Sequence, residues 1–288
     1  MYTSHSKTAG QGWALFLFAA IAVALMVVSS GLVCLAQKHL PDVKDPFPDK
    51  TSKVKPTPTP RKSPTPTPDK TVAPVAPGGA YGSYSGSELV APGWEMRNPD
   101  PIRWTMQPRQ KSLLIQTQTG TLSDSKNLKN WLMLNKDLPV DDFEVVVEAS
   151  IQIQGIGNQV VIALFVDDQN YFAVTFQGGN YYGGIKRVPY FGKRFQGKDI
   201  TYFGGGTKGD GPARQPERIF LKIDREGSQY SGSYAFVDQP ATIDQIKWEK
   251  MGTLPWINFR GRLVLYAANY QDAPEVAAEF YSVLIRKK

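Results

Sequence analysis

The chain has 288 residues and a formal charge of +7, from 33 Lys and Arg against 26 Asp and Glu. Its two histidines, His5 and His39, and its single cysteine, Cys34, all lie near the N-terminus. The rest of the chain therefore contains no Ser-His or Cys-His nucleophile pair, no Cys/His zinc site and no internal disulfide.

A long apolar segment lies close to the N-terminus. Residues 13–36 (WALFLFAAIAVALMVVSSGLVCLA) are 24 residues without a charged side chain, and about 20 apolar residues are enough to cross a bilayer core as a helix. This pattern predicts a transmembrane anchor that follows a cytoplasmic tail of residues 1–12. A cleaved signal peptide is the alternative, although its apolar region is usually about 7–15 residues long.

The distribution of Lys and Arg conflicts with export of the C-terminal part. Lys7 precedes the apolar segment, whereas Lys38 and four further lysines follow it by residue 55, so positive-inside counting alone keeps the C-terminal part cytoplasmic. We nevertheless expect a single-pass cell-membrane protein with an extracytoplasmic C-terminal part. Only Lys38 lies close to the membrane end, and the next segment is typical of a surface stalk.

Residues 37–88 are predicted to be a disordered linker rich in Pro, Thr and Lys. Eleven of the 22 prolines lie between Pro41 and Pro77, and because proline lacks a backbone donor, an extended polyproline II chain is favoured. Residues 1–87 carry 9 − 4 = +5 of the charge, and residues 88–288 carry 24 − 22 = +2. The overall basicity is therefore a poor argument for nucleic-acid binding, and we expect no nucleic-acid partner.

Residues 89–288 show the pattern of strands joined by turns. Apolar and polar side chains alternate from residue 143 to 154, which is the period of a strand with one buried face. Turn residues at 167–170 and 225–228 each separate two apolar runs, as in hairpins. Further strands are predicted at 112–117, 131–134, 262–268 and 276–286. No window predicts an amphipathic helix, so an all-β antiparallel sandwich of two sheets is expected.

An ordered series of motifs runs through this region: Trp104, Leu113–Thr117, Asp142–Val145, Ala163–Phe172, Leu221–Gly227 and Ala273–Phe280. The series resembles the concanavalin A-like domain at the C-terminus of family 43 beta-xylosidases, and related small domains of unknown function, over about residues 94–288. The resemblance implies a jelly-roll β-sandwich of the lectin and glucanase type and an association with carbohydrate. It does not imply catalysis, because in those xylosidases a separate propeller carries the catalytic carboxylates.

One segment is unusually rich in glycine and aromatic residues. Residues 177–211 contain 11 glycines and seven aromatic side chains. Aromatic faces stack on the C–H surfaces of sugar rings, and nearby basic residues suit an acidic polysaccharide or another polyanion. The alternative is a twisted hairpin whose tyrosines alternate between core and surface. The predicted ligand-binding residues are Tyr181, Tyr182, Tyr190, Phe191, Tyr202, Lys186 and Arg187.

Two acidic pairs are candidates for other chemistry. Asp167 and Asp168 could donate carboxylate oxygens to calcium, although adjacent acids in a hairpin turn more often cap the turn. Glu144 and Glu148 point to one side of a single strand, but four residues span about 13 Å, whereas retaining glycosidases need about 5–5.5 Å. We expect this second pair to be a solvated strand face.

The leading hypothesis is a membrane-anchored, extracytoplasmic, non-catalytic β-sandwich that binds carbohydrate or a cell-wall polymer through the aromatic Gly-rich region. A structural or protein-interaction module of the cell surface is the first alternative. A glycoside hydrolase that uses carboxylates alone is the second. Apart from the calcium site, no cofactor is expected.

Overall fold

A computed structural model describes residues 80–288, except 182, 239–241, 271 and 272. The predicted membrane segment at 13–36 and the predicted linker up to residue 79 lie outside these residues. No helix in the described part is long and apolar enough to cross a membrane.

The described residues form seventeen β-strands and three short 3-10 segments, Gly86–Val90, Leu122–Asp124 and Ile243–Gln245. The strands are β1 (Ala80–Ser85), β2 (Trp94–Arg97), β3 (Trp104–Gln107), β4 (Ser112–Gln116), β5 (Gln118–Thr119), β6 (Trp131–Leu134), β7 (Phe143–Ile151), β8 (Gln159–Asp167), β9 (Asn170–Tyr181), β10 (Gly184–Phe195), β11 (Lys198–Gly204), β12 (Gly209–Asp210), β13 (Glu217–Glu226), β14 (Gln229–Phe236), β15 (Glu249–Pro255), β16 (Arg262–Asn269) and β17 (Ala277–Lys287).

The strands assemble into two sheets. The eight-stranded sheet has the order β15-β14-β13-β7-β17-β4-β3, and β1 pairs with β17. The nine-stranded sheet has the order β11-β10-β9-β8-β16-β6-β2, with β12 on β10 and β5 on β16. The two-residue pairing of β5 with β16 is parallel, and the other pairings within the described residues are antiparallel. The predicted all-β sandwich of two antiparallel sheets is therefore confirmed.

The main core lies between the two sheets and follows from the period-two pattern. On β7, Phe143, Val145, Val147, Ala149 and Ile151 are all buried. They belong to one apolar cluster with side chains of the nine-stranded sheet, among them Ile162, Phe172 and Val174. Because alternate residues of a strand face opposite ways, the remaining side chains of β7 lie on the outer face of the eight-stranded sheet.

The sandwich begins earlier than the predicted boundary at residue 89. Strand β1 pairs with β17, where Tyr84 lies opposite Val283, so residues 80–88 belong to the domain and not to the linker. Tyr84 packs its ring edge-on against Trp94, with centroids 5.5 Å apart, and Tyr81 donates to the backbone carbonyl of Asp137 at 2.6 Å. These two tyrosines supply the contacts that a Gly- and Ser-rich segment otherwise lacks.

Candidate ligand-binding face

Most of the Gly-rich segment predicted to bind ligand is regular sheet. It comprises the end of β9 and strands β10, β11 and β12. Tyr190 of β10 lies opposite Thr175 of β9 and Gly204 of β11, and Gly192 lies opposite Tyr202. Because Phe191 and Phe203 point into the core between the sheets, their sequence neighbours Tyr190, Gly192 and Tyr202 face the other way. The two tyrosines therefore share the outer face of the nine-stranded sheet.

Each of these tyrosine rings lies against a glycine on the neighbouring strand. A Cβ atom added to Gly192 would lie 2.5 Å from Cε1 of Tyr202, and one added to Gly204 would lie 3.5 Å from Cε1 of Tyr190. The absence of a side chain at both positions lets the rings lie across the adjacent strand. Tyr190 and Tyr202 are diagonal neighbours in this ladder, which places their backbones about 7–8 Å apart. We call Tyr190 and Tyr202 the tyrosine platform.

The tyrosine platform is partly open to solvent and borders buried tyrosines on the same face. Tyr202 is 51% exposed, and Tyr190 is half-buried. Tyr171 and Tyr266 are buried in an apolar cluster on the same outer face. Burial raises the pKa of Tyr171 to about 12, with a further rise from the nearby charge of Asp199. Burial of its phenol group likewise raises the pKa of Tyr202, although much of the residue surface is exposed.

The loop of residues 120–130, between β5 and β6, covers the part of this face that lies beyond the tyrosine platform. Leu122 and Leu128 are fully buried against the cluster that contains Tyr171 and Tyr266. Ser123 forms a side-chain hydrogen bond to Tyr171, and Asp168 accepts a hydrogen bond from the backbone N–H of Ser125. The loop therefore packs over Tyr171 and Tyr266, whereas Tyr202 on β11 stays exposed.

The other predicted aromatic residues do not join the platform. Phe191 is fully buried between the sheets and stacks on Phe172, with centroids 6.0 Å apart. Its side chain has no surface to offer a ligand, because it points from β10 to the face opposite that of Tyr190. Tyr182 and the side chain of Tyr181 lie outside the described residues.

The two predicted basic ligands are held in ion pairs. Lys186 lies 3.0 Å from the carboxylate of Asp210. Arg187 donates from Nε to both carboxylate oxygens of Glu217 at 2.8 and 3.0 Å, and each of these two side chains is only 11% exposed. Nη1 of Arg187 also donates to the backbone carbonyls of Asp210, at 2.9 Å, and Gly211. Arg187 thus fastens β10 to the segment that leads into β13.

Further basic residues of the segment are also engaged. Nζ of Lys193 donates to the backbone carbonyl of Pro255 at 2.8 Å, and Arg194 pairs with Asp199 at 3.2 Å. The predicted basic cluster is therefore divided between the two faces of β10, and most of its charge is compensated. This arrangement suits a neutral ligand at the tyrosine platform better than a polyanion.

The predicted calcium ligands have hydrogen-bond roles in and near their turn. Asp167 accepts from the backbone N–H of Gln169 at 2.9 Å and from the amide of Asn170 at 2.8 Å. The two acids are engaged separately, since Asp168 contacts the loop at Ser125. Across residues 80–288, outside the gaps given above, no group of three or more His, Cys, Asp or Glu side chains could hold a metal ion.

Glu144 and Glu148 lie on the outer face of the eight-stranded sheet, each within a network of ion pairs. Glu144 lies 3.5 Å from Arg286 and 3.8 Å from Lys222, and Glu148 lies 2.6 Å from Arg218. Both carboxylates are 15% exposed, so they are less solvated than the sequence suggests. Their separate cationic partners and their spacing along the strand are not those of an acid and nucleophile pair.

Sequence reasoning missed a pocket of about 330 Å³ at one end of the sandwich. Its lining comes from residues 137–140, Phe143, Leu164, Arg225, Tyr230 and residues 259–262. These segments are distant in sequence and meet only through the sheet topology, so no local motif marks the pocket. The predicted turn at residues 225–228 lies beside the pocket, and it was the one part of the lining region that the sequence marked.

Neither a protein-family profile nor any curated protein sequence matches the chain. Among solved structures, the GH43 protein BlXynB from Bacillus licheniformis has a TM-score of 0.56 and 17% identity, over 75% of this chain and 41% of that chain. A mutant of this protein has a TM-score of 0.51 and 18% identity, over 68% of this chain and 37% of that chain. Xylan beta-1,4-xylosidase from Bacillus halodurans C-125 has a TM-score of 0.52 and 12% identity, over 76% of this chain and 41% of that chain.

The chain therefore spans about two fifths of the length of these structures. At such low identity the match is one of fold, and nothing about activity or substrate follows from it. The resemblance seen in the order of motifs is confirmed at this level: the described sandwich has the fold of one part of these GH43 proteins.

Proposed function

We propose that this protein is a membrane-anchored, extracytoplasmic, non-catalytic module with a concanavalin A-like sandwich that binds carbohydrate or a cell-wall polymer. The observation that carries the proposal is the tyrosine platform, in which two tyrosine rings lie over glycines on an exposed sheet face. The apolar segment at residues 13–36 would hold the module at the cell membrane, and the linker would carry it away from the surface.

The geometry of the platform suits a flat saccharide chain. The ring of Tyr202 lies across the neighbouring strand at Gly192, and the C–H side of a pyranose packs on the face of an aromatic ring. Pairs of aromatic rings contribute about 0.5–1.5 kcal/mol beyond the area they bury, and we expect a similar contribution from each tyrosine ring to saccharide binding. The two rings of the tyrosine platform together would give a weak, reversible interaction.

Neutral glycans are the first ligands to test. The ion pairs of Lys186, Arg187 and Arg194 leave little free positive charge beside the platform. One structure with the same fold is named a xylan beta-1,4-xylosidase, so xylan and its oligosaccharides are a rational starting point. The proposal for this chain concerns binding and not cleavage, since Glu144 and Glu148 are held by cations on another face.

The test uses the full chain in detergent micelles, with Tyr190→Ala and Tyr202→Ala singly and together. Binding to insoluble xylan and to a panel of neutral and acidic polysaccharides is measured by sedimentation and by affinity electrophoresis. We expect each single variant to weaken binding about three- to tenfold, as loss of about 0.7–1.4 kcal/mol implies. The double variant should abolish retention.

Tyr281→Ala is the matched control, because Tyr281 is half-buried on the outer face of the eight-stranded sheet, where it contacts Ser150 and Arg218. It should bind like the unmodified chain. The proposal fails if no polysaccharide binds, or if the platform variants and the control lose binding equally. Retained protein partners in the platform variants, together with no glycan binding, would instead support an interaction module.

Anchoring and orientation need a separate measurement. We expect the chain to fractionate with membranes through residues 13–36, and protease added to intact cells to remove the sandwich. Protection of the sandwich in intact cells, with cleavage only after lysis, would contradict the extracytoplasmic assignment and favour the orientation that the Lys and Arg count indicates.

A further inference from the structure

The pocket at the end of the sandwich concentrates positive charge. Arg225, Arg260 and Arg262 line it, and Asp137 is the acidic residue in the lining, so the balance is 3 − 1 = +2. Within the described residues, none of the three guanidinium groups forms an ion pair with a carboxylate. This contrasts with the compensated arginines of β10, β13 and β17, which pair with Glu217, Asp199, Glu148 and Asp244.

One of these guanidinium groups is fixed in place. Nε of Arg225 donates to the backbone carbonyl of Gly227 at 2.9 Å, and its Cζ lies 6.0 Å from the ring centroid of Phe143 and 5.9 Å from that of Tyr230. A single backbone contact at Nε leaves the terminal nitrogens available. Such a preorganised fork loses little entropy when it receives a planar oxyanion.

The other two arginines, Arg260 and Arg262, lie near the beginning of β16. Arg260 and Arg262 are exposed residues at and before the beginning of β16. Burial raises the pKa of the Tyr230 phenol, and the positive charges of Arg225 and Arg260 partly offset this rise. Arg225 and Arg260 therefore both lie near Tyr230, and Arg262 lines the same pocket.

The floor of the pocket is apolar and rigid. Phe143, Leu164, Tyr230 and Phe259 are each 5% exposed or less. Tyr230 and Phe259 meet edge-on with centroids 5.6 Å apart. At about 330 Å³, the pocket is near the lower end of the range for small-molecule sites. The apolar surface open to a ligand belongs instead to Leu138, which is half-buried, and Val140, which is 58% exposed.

We propose that this pocket is a second ligand site that binds a small ring-bearing carboxylate, of the size and class of a single uronate. The carboxylate lies among the guanidinium groups of Arg225, Arg260 and Arg262. The ring packs on the exposed apolar surface of Leu138 and Val140. The site does not depend on the tyrosine platform, and it can exist whether or not the platform binds glycans.

The experiment measures binding of sodium glucuronate to the full chain in detergent micelles by isothermal titration calorimetry. Glucose, acetate, inorganic phosphate and glucose 6-phosphate serve as comparison probes. We expect glucuronate to bind saturably, glucose not to bind, and acetate to bind at least tenfold more weakly than glucuronate because it has no ring. Affinity should fall when NaCl is raised from low to high concentration, since the contacts are charged.

The variants are Arg260→Gln and Arg262→Gln, with Arg109→Gln as the control at another exposed arginine. Each pocket variant should weaken glucuronate about tenfold, the equivalent of about 1.4 kcal/mol, and the control should not change it. Tyr190→Ala with Tyr202→Ala should leave glucuronate binding intact, which separates this site from the proposed function. Thermal unfolding followed by circular dichroism shows that the variants are folded.

The proposal is overturned if glucuronate does not bind saturably, if glucose binds equally well, or if Arg109→Gln weakens binding as much as the pocket variants. Tighter binding of glucose 6-phosphate or phosphate than of glucuronate would overturn the assignment of a carboxylate.

Discussion

Replacement of Arg187 by Met separates a structural role from a ligand-binding role for this residue. Arg187 and Glu217 are each 11% exposed, and the guanidinium makes two contacts with the carboxylate and two with backbone carbonyls. Arg187→Met keeps much of the side-chain volume but leaves the carboxylate of Glu217 nearly buried without its partner. Removal of one member of a buried pair typically costs about 3–5 kcal/mol.

Because these side chains retain some contact with water, we expect a loss of about 3 kcal/mol in the free energy of unfolding. For a domain of this size, 1 kcal/mol corresponds to about 2–4 °C in Tm, so Tm should fall by about 6–12 °C. The double variant Arg187→Met with Glu217→Leu should recover much of this loss, because no unpaired charge remains. Urea unfolding followed by tryptophan fluorescence gives both free energies.

Glycan binding, measured well below the melting temperature, should be unchanged in the Arg187→Met variant. A loss of stability below about 1 kcal/mol would show that the pair is effectively solvated and would refute the reasoning. Normal stability with a large loss of glycan affinity would restore Arg187 as a ligand contact.

Three other perturbations test the same structure. Phe191→Ala removes a fully buried ring that stacks on Phe172 and should cost about 3–5 kcal/mol in urea unfolding; a cost under 1 kcal/mol would contradict its place in the core. Gly192→Ala puts a methyl group where Cε1 of Tyr202 would be 2.5 Å away, so the ring must move. We expect a cost of about 1–3 kcal/mol and weaker xylan binding, and unchanged binding would mean that the position of the Tyr202 ring is irrelevant. The pKa of Tyr171 is raised from 10.0 to about 12, so above pH 10 the unfolded chain releases this proton before the folded one does. Stability should therefore fall as the pH rises from 10 to 12, Tyr171→Phe should reduce that fall, and an equal fall in the variant would contradict the shift.

The strands were predictable where one face is apolar and the other polar. Strand β7 alternates in this way along its whole length, and the turns at 167–170 and 225–228 mark their hairpins plainly. Strand β1 was missed because Gly82 and Ser83 are poor strand formers, and its place depends on Tyr81 and Tyr84 packing on distant residues. Strand β10 was obscured because it contains Pro189, and a proline inside a run argues against a strand.

The candidate site was predictable in composition but not in orientation. Tyr190 and Phe191 are adjacent, so in a strand they must face opposite ways, and a shift of register by one residue would exchange their roles. The sequence contains no local signal that decides which of the two is buried. The decision comes from the core, where Phe191 packs on Phe172 and fills space over Gly232, whose added Cβ would lie 2.3 Å from Cγ of Phe191.

The distribution of charge was the least predictable feature, because it depends on which carboxylates the fold brings near each cation. Residues 186–198 look strongly basic in the sequence, yet Lys186, Arg187 and Arg194 find partners at residues 210, 217 and 199. Arg225, Arg260 and Arg262 look like ordinary solvated charges around turns, yet the topology gathers them at one pocket. A Lys or Arg side chain contributes to the binding of an anion only where it is not already paired with a carboxylate of the protein. An acidic ligand is therefore expected at the pocket, whereas the tyrosine platform is better matched to a neutral one.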